Sequence, residues 1–329
     1  MRAMQETGSR NSLWWLPAGL LLVALTLASL AVGYVDMKPL RLLRGALAGE
    51  WVPSRILWDL RVPRTVLCVA VGAALGMSGA ALQGLLRNPL AEPGLLGVTG
   101  GAALGAVVAL YTGMAQAMVL ALPLAGMAGT ALAVTLVFAL ARRNDDTTTL
   151  ILAGVAISAL SSALIALVMN WSRNAFALQE IVFWMMGSLA DRSMREVGLA
   201  VPAIVIGMLL LWQARRGLQA LALGEETAHS LGIDLRRLRL LVLVGTACSV
   251  GAAVSVAGSI GFIGLVAPHL MRPCVKADPA RLLPASAWAG AVLLLLADMG
   301  VRLRYNVGQE LKLGVLTALI GAPVFLSLL

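Results

Sequence analysis

Long uncharged stretches alternate with short polar interruptions along the whole chain. Residues 13–35 and 65–86 each contain about the twenty apolar residues that one helical crossing of a bilayer requires. Residues 94–141 carry no charge, are too long for one crossing, and break best at 111–116, predicting two helices joined by a tight turn. Further runs at 147–172, 197–212, 240–257, 259–271, 282–297 and 313–329 bring the expected number of spans to ten, the eighth of them short. Residues 175–189 (AFALQEIVFWMMGSL) are apolar but too short to cross. They read either as a helix half inserted from the outer side beside a cavity, or as a surface helix held by Trp184.

Glycine spacing adds a packing expectation. Gly72, Gly76 and Gly79 recur at i, i+4 and i+7, so one face of the second span is smooth enough for another helix to approach closely, and that face is expected to meet protein.

Composition agrees with this pattern: 60% of the 329 residues are hydrophobic and 12% charged, which excludes a water-soluble domain. No polar stretch is long enough to fold separately, so residues 1–329 are expected to form a single all-α, polytopic transmembrane domain. Arg2 and Arg10 precede the first run and favour a cytoplasmic start, and the run is too long for a signal-peptide core. Cys68, Cys248 and Cys274 lack CxxC spacing and read as packing residues, and no metal site is expected.

On this topology about half of the basic residues fall outside, against the usual bias. Arg61 and Arg64 open the second span and Arg302 closes the ninth, with Asp298 one turn before it. Two readings fit: a fixed basic surface for an acidic protein partner, or snorkelling to lipid phosphates.

The three lysines, Lys38, Lys276 and Lys312, lie in no G-x-x-x-x-G-K-[ST] loop, so any ATP must be bound by another subunit. No span places an acid or histidine at mid-membrane, which disfavours proton coupling. An ion-coupled secondary transporter working without an ATPase stays open through sodium held by backbone and hydroxyl oxygens. With two histidines far apart, no catalytic residues are assigned. Residues 217–234 are expected to form two short helices on the cytoplasmic side. Leu218, Leu221 and Leu223 offer apolar contacts, Gly224 breaks the first helix, Glu225 and Glu226 open the second, and Gly232 caps it, with His229 on the same surface.

These residues fall in eight ordered blocks: RVPRT at 61, SGAALQGLLRNPLAEPGLLGVTGGAALG at 78, LILAGVAIS at 150, FWMMGSL at 183, LALGEETAHSLGID at 221, GSIGFIGLVAPHLMR at 258, LLPASAWAGAVLLLLADMGVR at 282 and GVLTALIGAPVFLSLL at 314. In them the chain resembles the permease subunits of type II ATP-binding cassette importers for iron-siderophores, haem and cobalamin. The resemblance implies a homodimer of ten-span subunits in the bacterial inner membrane, two cytoplasmic ATP-binding subunits and a periplasmic substrate-binding protein, with no cofactor and no nucleic-acid partner. It assigns Arg61, Arg64 and Arg302 to binding-protein docking and Leu221, Leu223, Gly224, Glu225, Glu226, His229 and Gly232 to ATPase coupling. Thr147 and Thr148 match the cytoplasmic gate, although the same residues suit ordinary N-capping. His269 belongs to the shared PHxxR block, in which Pro268 is expected to disrupt the helix near it, and is not expected to ligate haem. Met169, Met185, Met186 and Met194 stand near the outer cavity, as a soft wall or as ordinary packing. General similarity places haem first as cargo, then ferric siderophore, then cobalamin. Lys312 in ELKLG stands where the family usually has proline.

Overall fold

A computed structural model describes residues 15–33, 37–141, 147–303 and 310–326, with the Thr147 side chain outside the description. Among the described residues fifteen α-helices, with one π turn and one 3-10 turn, follow one another with short connections. They begin with α1 (Trp15–Ala31), α2 (Pro39–Leu47) and α3 (Trp51–Arg55), which runs through a π turn (Ile56–Arg61) into α4 (Val62–Leu85). A 3-10 turn (Pro93–Leu96) precedes α5 (Val98–Tyr111), α6 (Met114–Ala117), α7 (Ala121–Ala141), α8 (Thr147–Trp171) and α9 (Ala175–Met185). Then come α10 (Met194–Leu221), α11 (Glu225–Ser230), α12 (Leu235–Ala257), α13 (Ile263–Met271), α14 (Pro279–Leu303) and α15 (Leu313–Leu326).

Ten of these correspond in order to the expected spans. Six helices among the described residues are long and apolar enough to cross a membrane: the continuous Trp51–Leu85 helix, α7, α8, α10, α12 and α14. The others are shorter, α5 and α15 having 14 residues and α13 nine. Irregular backbone flanking such short helices is tolerated in a bilayer only where protein or an aqueous cavity shields it. The chain is a multi-pass membrane protein.

α4 is the axis of the bundle. It packs antiparallel on α14 through a seam with almost no side chains: a Cβ added to Gly72 would strike the Gly290 carbonyl, and one added to Gly76 the Ser286 carbonyl. Gly79 abuts the Gly264 carbonyl on α13 in the same way. In lipid, packing of this kind replaces the missing hydrophobic drive between helices. α10 and α12 form a second antiparallel pair in which Gly207 faces Gly245 and Ser249. Trp288 Nε1 on α14 donates to the Ala18 carbonyl (2.8 Å), tying α1 to the bundle.

Two local expectations are corrected. α10 continues without a break to Leu221, because Gly217 lets the Leu238 side chain of α12 lie against it, so residues 217–223 form no separate short helix. In α13 the helix passes through Pro268 to Met271, and Pro268 does not interrupt it before His269. α9 starts where Asn174 caps it, its side chain accepting from the backbone N–H groups of Phe176 (3.0 Å) and Ala177 (3.5 Å).

Candidate functional site

Arg61, Arg64 and Arg302 converge at one end of the bundle, and the structure turns them inward. They are only 5, 6 and 5% exposed and form no open basic surface. The cause is the end of α1, whose last carbonyls have no partner within the helix. Arg61 Nη1 donates to the carbonyls of Leu30 (2.9 Å) and Ala31 (2.8 Å), and Arg302 Nη1 to those of Ser29 (2.8 Å) and Val32 (2.7 Å). Two guanidinium groups thus cap a helix C-terminus, where cations are also favoured by the helix dipole.

Asp298, fully buried on the last turns of α14, balances this charge. Its Oδ1 accepts from Arg64 Nε (2.8 Å) and lies 2.8 Å from Arg64 Nη2. Its Oδ2 forms an ion pair with Arg302 Nη2 at 2.7 Å. Arg64 Nη2 also holds Glu310, just before α15. Together Gly33, Arg61, Arg64, Asp191, Arg302 and Glu310 border a pocket of about 140 Å³. The sequence pairs Asp298 with Arg302 by helical spacing. It gives no signal for the reach of Arg64 across 234 residues or for Glu310, beyond the latter's place in the ELKLG block.

Beside this pocket a wider cleft of about 660 Å³ opens between the ends of α9, α13 and α15. Met185, Met186, Ser259, Phe262, Val315 and Leu319 line much of it, and small residues at Gly261, Gly314 and Ala318 keep it open. Of the four methionines singled out in the sequence, Met185 and Met186 reach the cleft. Met194 is exposed elsewhere and Met169 packs on the core.

The opposite end is fixed by contacts along α4: its first turn carries Arg64, while Gly84 near its last turn lies on Leu218 of α10. The α10–α12 connection therefore emerges at the far end from the arginines. There Gly224 (φ +111°) and Gly232 (φ +78°) bracket α11, both in conformations that favour glycine. Leu223, Glu225, Glu226 and His229 are exposed. Leu221 is 3% exposed and is no surface contact, because it closes the last turn of α10. Glu225 and His229 face Asp234, Arg236 and Arg239 across a groove of about 480 Å³, with Glu225 Oε1 3.7 Å from Arg239 Nη2. Thr148 is exposed at the start of α8. The Thr147 side chain lies outside the described residues.

Outside the spans, burial pushes the Glu92 carboxyl, in the polar connection before α5, above the usual carboxylate range. Arg272, after α13, donates from Nη2 to Gln83 Oε1 (2.7 Å) and joins that helix to α4.

A charged pocket at one end, an open cleft beside it and a helix–turn groove at the other are carried by one multi-pass membrane bundle. The chain belongs to the FecCD transport family, whose sequence model matches residues 21–329. The vitamin B12 import system permease proteins BtuC of Salmonella paratyphi A and Salmonella typhimurium are each 41% identical to it over 323 residues, 97% of this chain and 95% of theirs. A solved structure described as an inward-facing conformation of a metal-chelate type ABC transporter matches with a TM-score of 0.84 and 33% identity, over 95% of this chain and 97% of that one. The chain is accordingly the permease of a type II ABC importer, a transport subunit.

Proposed function

We propose that this permease works as a homodimer in the bacterial inner membrane, with two cytoplasmic ATP-binding subunits and a periplasmic binding protein, and that it imports vitamin B12 or a closely related corrinoid. The observation that carries the reading is near-full-length similarity to vitamin B12 permeases at 41% identity. It moves cobalamin ahead of haem, and haem ahead of siderophore has no residue to support it. In this reading Arg61, Arg64 and Arg302 receive acidic side chains of the binding protein, which compete with Asp298 and Glu310 for the guanidinium donors. Leu223, Glu225, Glu226, His229 and the two bracketing glycines, Gly224 and Gly232, seat the ATPase. Thr147 and Thr148 narrow the cytoplasmic exit. One transmembrane domain over residues 1–329 carries all of these parts.

The test is purification in mild detergent, subunit identification, and reconstitution with the co-purifying ATPase and binding protein. ATP-dependent uptake of cyanocobalamin, with haem and ferric siderophores far below it, supports the proposal. Haem or siderophore uptake in its place overturns the cargo. A lone chain that transports without an ATPase overturns the whole assembly and leaves an ion-coupled carrier.

A further inference from the structure

Between α1 and α4 the chain builds a surface that the importer reading does not use. α2 buries Leu42, Gly45 and Ala46 against a small cluster that includes Ile56 and Leu57. Its other apolar residues, Leu40, Leu43 and Leu47, fall at i, i+3 and i+7 and so form one exposed stripe, Leu47 being 75% exposed. Trp51 (72% exposed) and Trp58 (52% exposed) extend that apolar surface along α3 and the π turn. Lys38, Arg41 and Arg44 are exposed on the same short helix and its N-cap, and no described ion pair engages them. Arg55 is already held by Asp59 at 2.9 Å.

The position of this surface follows from the chain path. Arg61 is bonded to the last carbonyls of α1, so the segment leaves and re-enters the bundle at one end. The continuous Trp51–Leu85 helix has 35 residues. At 1.5 Å per residue that is about 52 Å, against a hydrocarbon core of about 30 Å. Its first turns, with α2, therefore stand at the level of the lipid headgroups, where tryptophan is favoured and arginine meets phosphate. An apolar stripe flanked by cations at that depth has the chemistry of a helix lying in the interface plane.

We propose that Leu40, Leu43, Leu47, Trp51 and Trp58 form a lipid-binding face in the outer-leaflet interface, selective for anionic phospholipid through Lys38, Arg41 and Arg44. The test uses the full chain in proteoliposomes, with Cys68→Ala, Cys248→Ala and Cys274→Ser as background and a spin label at Leu43→Cys or Leu47→Cys. Glu226→Cys serves as the aqueous reference. Oxygen is expected to relax both interfacial labels several-fold more effectively than a water-soluble nickel chelate, with the order reversed at the reference. Adding phosphatidylglycerol to phosphatidylcholine should deepen the Leu43 label, and Arg41→Gln with Arg44→Gln should abolish that response. Labels as open to the chelate as the reference overturn the proposal, as does protection with no response to phosphatidylglycerol. Spin–spin broadening between copies reassigns the face to a second copy of the chain, and protection that appears only with the binding protein reassigns it to that partner. Either result overturns the lipid assignment.

Discussion

Asp298 shows at the level of one residue why charge inside this bundle is structural before it is functional. Its carboxylate has no exposure and neutralises the guanidinium groups of Arg64 and Arg302, the second of which also caps α1. Asp298→Asn keeps the shape and removes the charge, leaving Arg64 and Arg302 buried together. Breaking a buried pair this way costs about 3–5 kcal/mol, so the variant should lose its thermal transition in detergent or melt far below the parent. The exposed Arg55–Asp59 pair is the contrast: Asp59→Asn should shift stability by less than about 1 kcal/mol. The i, i+4 spacing of Asp298 and Arg302 was legible in the sequence. The capping of α1 was not, because a helix end's need for donors is met here by residues about thirty and 270 positions away. Glu92 supplies a pH test. Burial raises its folded-state pKa, so the native state favours the protonated form, and stability falls as pH rises from the ordinary carboxylate range to the raised value. Glu92→Gln should therefore melt higher than the parent at neutral pH. The gap should close as pH drops below the ordinary range; a gap that widens in acid contradicts the sign.

At the level of elements, the glycine rows decide which helices touch. Gly72, Gly76 and Gly79 were recognisable from spacing alone as a surface for protein, and the structure seats them on the backbones of α14 and α13. What spacing does not reveal is the partner, since any smooth helix face accepts another, and the choice depends on the complementary Gly290, Ser286 and Gly264. Gly76→Ala forces a Cβ into the Ser286 carbonyl, and overpacking of that kind typically costs about 1–3 kcal/mol. Gly19→Ala in α1 meets nothing within 4 Å and should leave the melting temperature unchanged or slightly raised. Equal losses from both variants would mean that the seam is not where the bundle is tight. The same dependence on a distant partner explains the missed continuity of α10: Leu218 and Leu221 looked like surface contacts in a polar loop, but Leu238 and Gly84 cover the end of that helix.

Across the whole molecule the ordered blocks made the family and the helix order readable, while the resting pairing of the arginine pocket needed three distant segments in one place. That pairing makes the proposed docking reaction an exchange. A partner carboxylate approaching Arg64 must displace Glu310, whereas Arg64→Glu would set a third acid against Asp298 and Glu310 and confuse docking with unfolding. Glu310→Gln weakens the internal competitor and keeps the charge of Arg64. If the competition is worth about 1 kcal/mol, the binding protein should dock roughly fivefold more tightly. Unchanged affinity in a well-folded variant would remove the arginine pocket from the docking surface. At the far end, Glu225 and Glu226 stand exposed on α11, with Glu225 only 3.7 Å from Arg239. Replacing both with lysine disturbs one half-exposed ion pair, worth at most about 1 kcal/mol, so the permease should keep its melting temperature. Like charge facing Arg236 and Arg239 should nevertheless alter the proposed ATPase-seating surface and lower ATP-driven uptake at least tenfold. Because the two ends are separated by the length of α4, binding-protein docking should be unaffected in this variant. A carrier that needs no ATPase would transport as before, and that result would separate the two mechanisms with the fold intact.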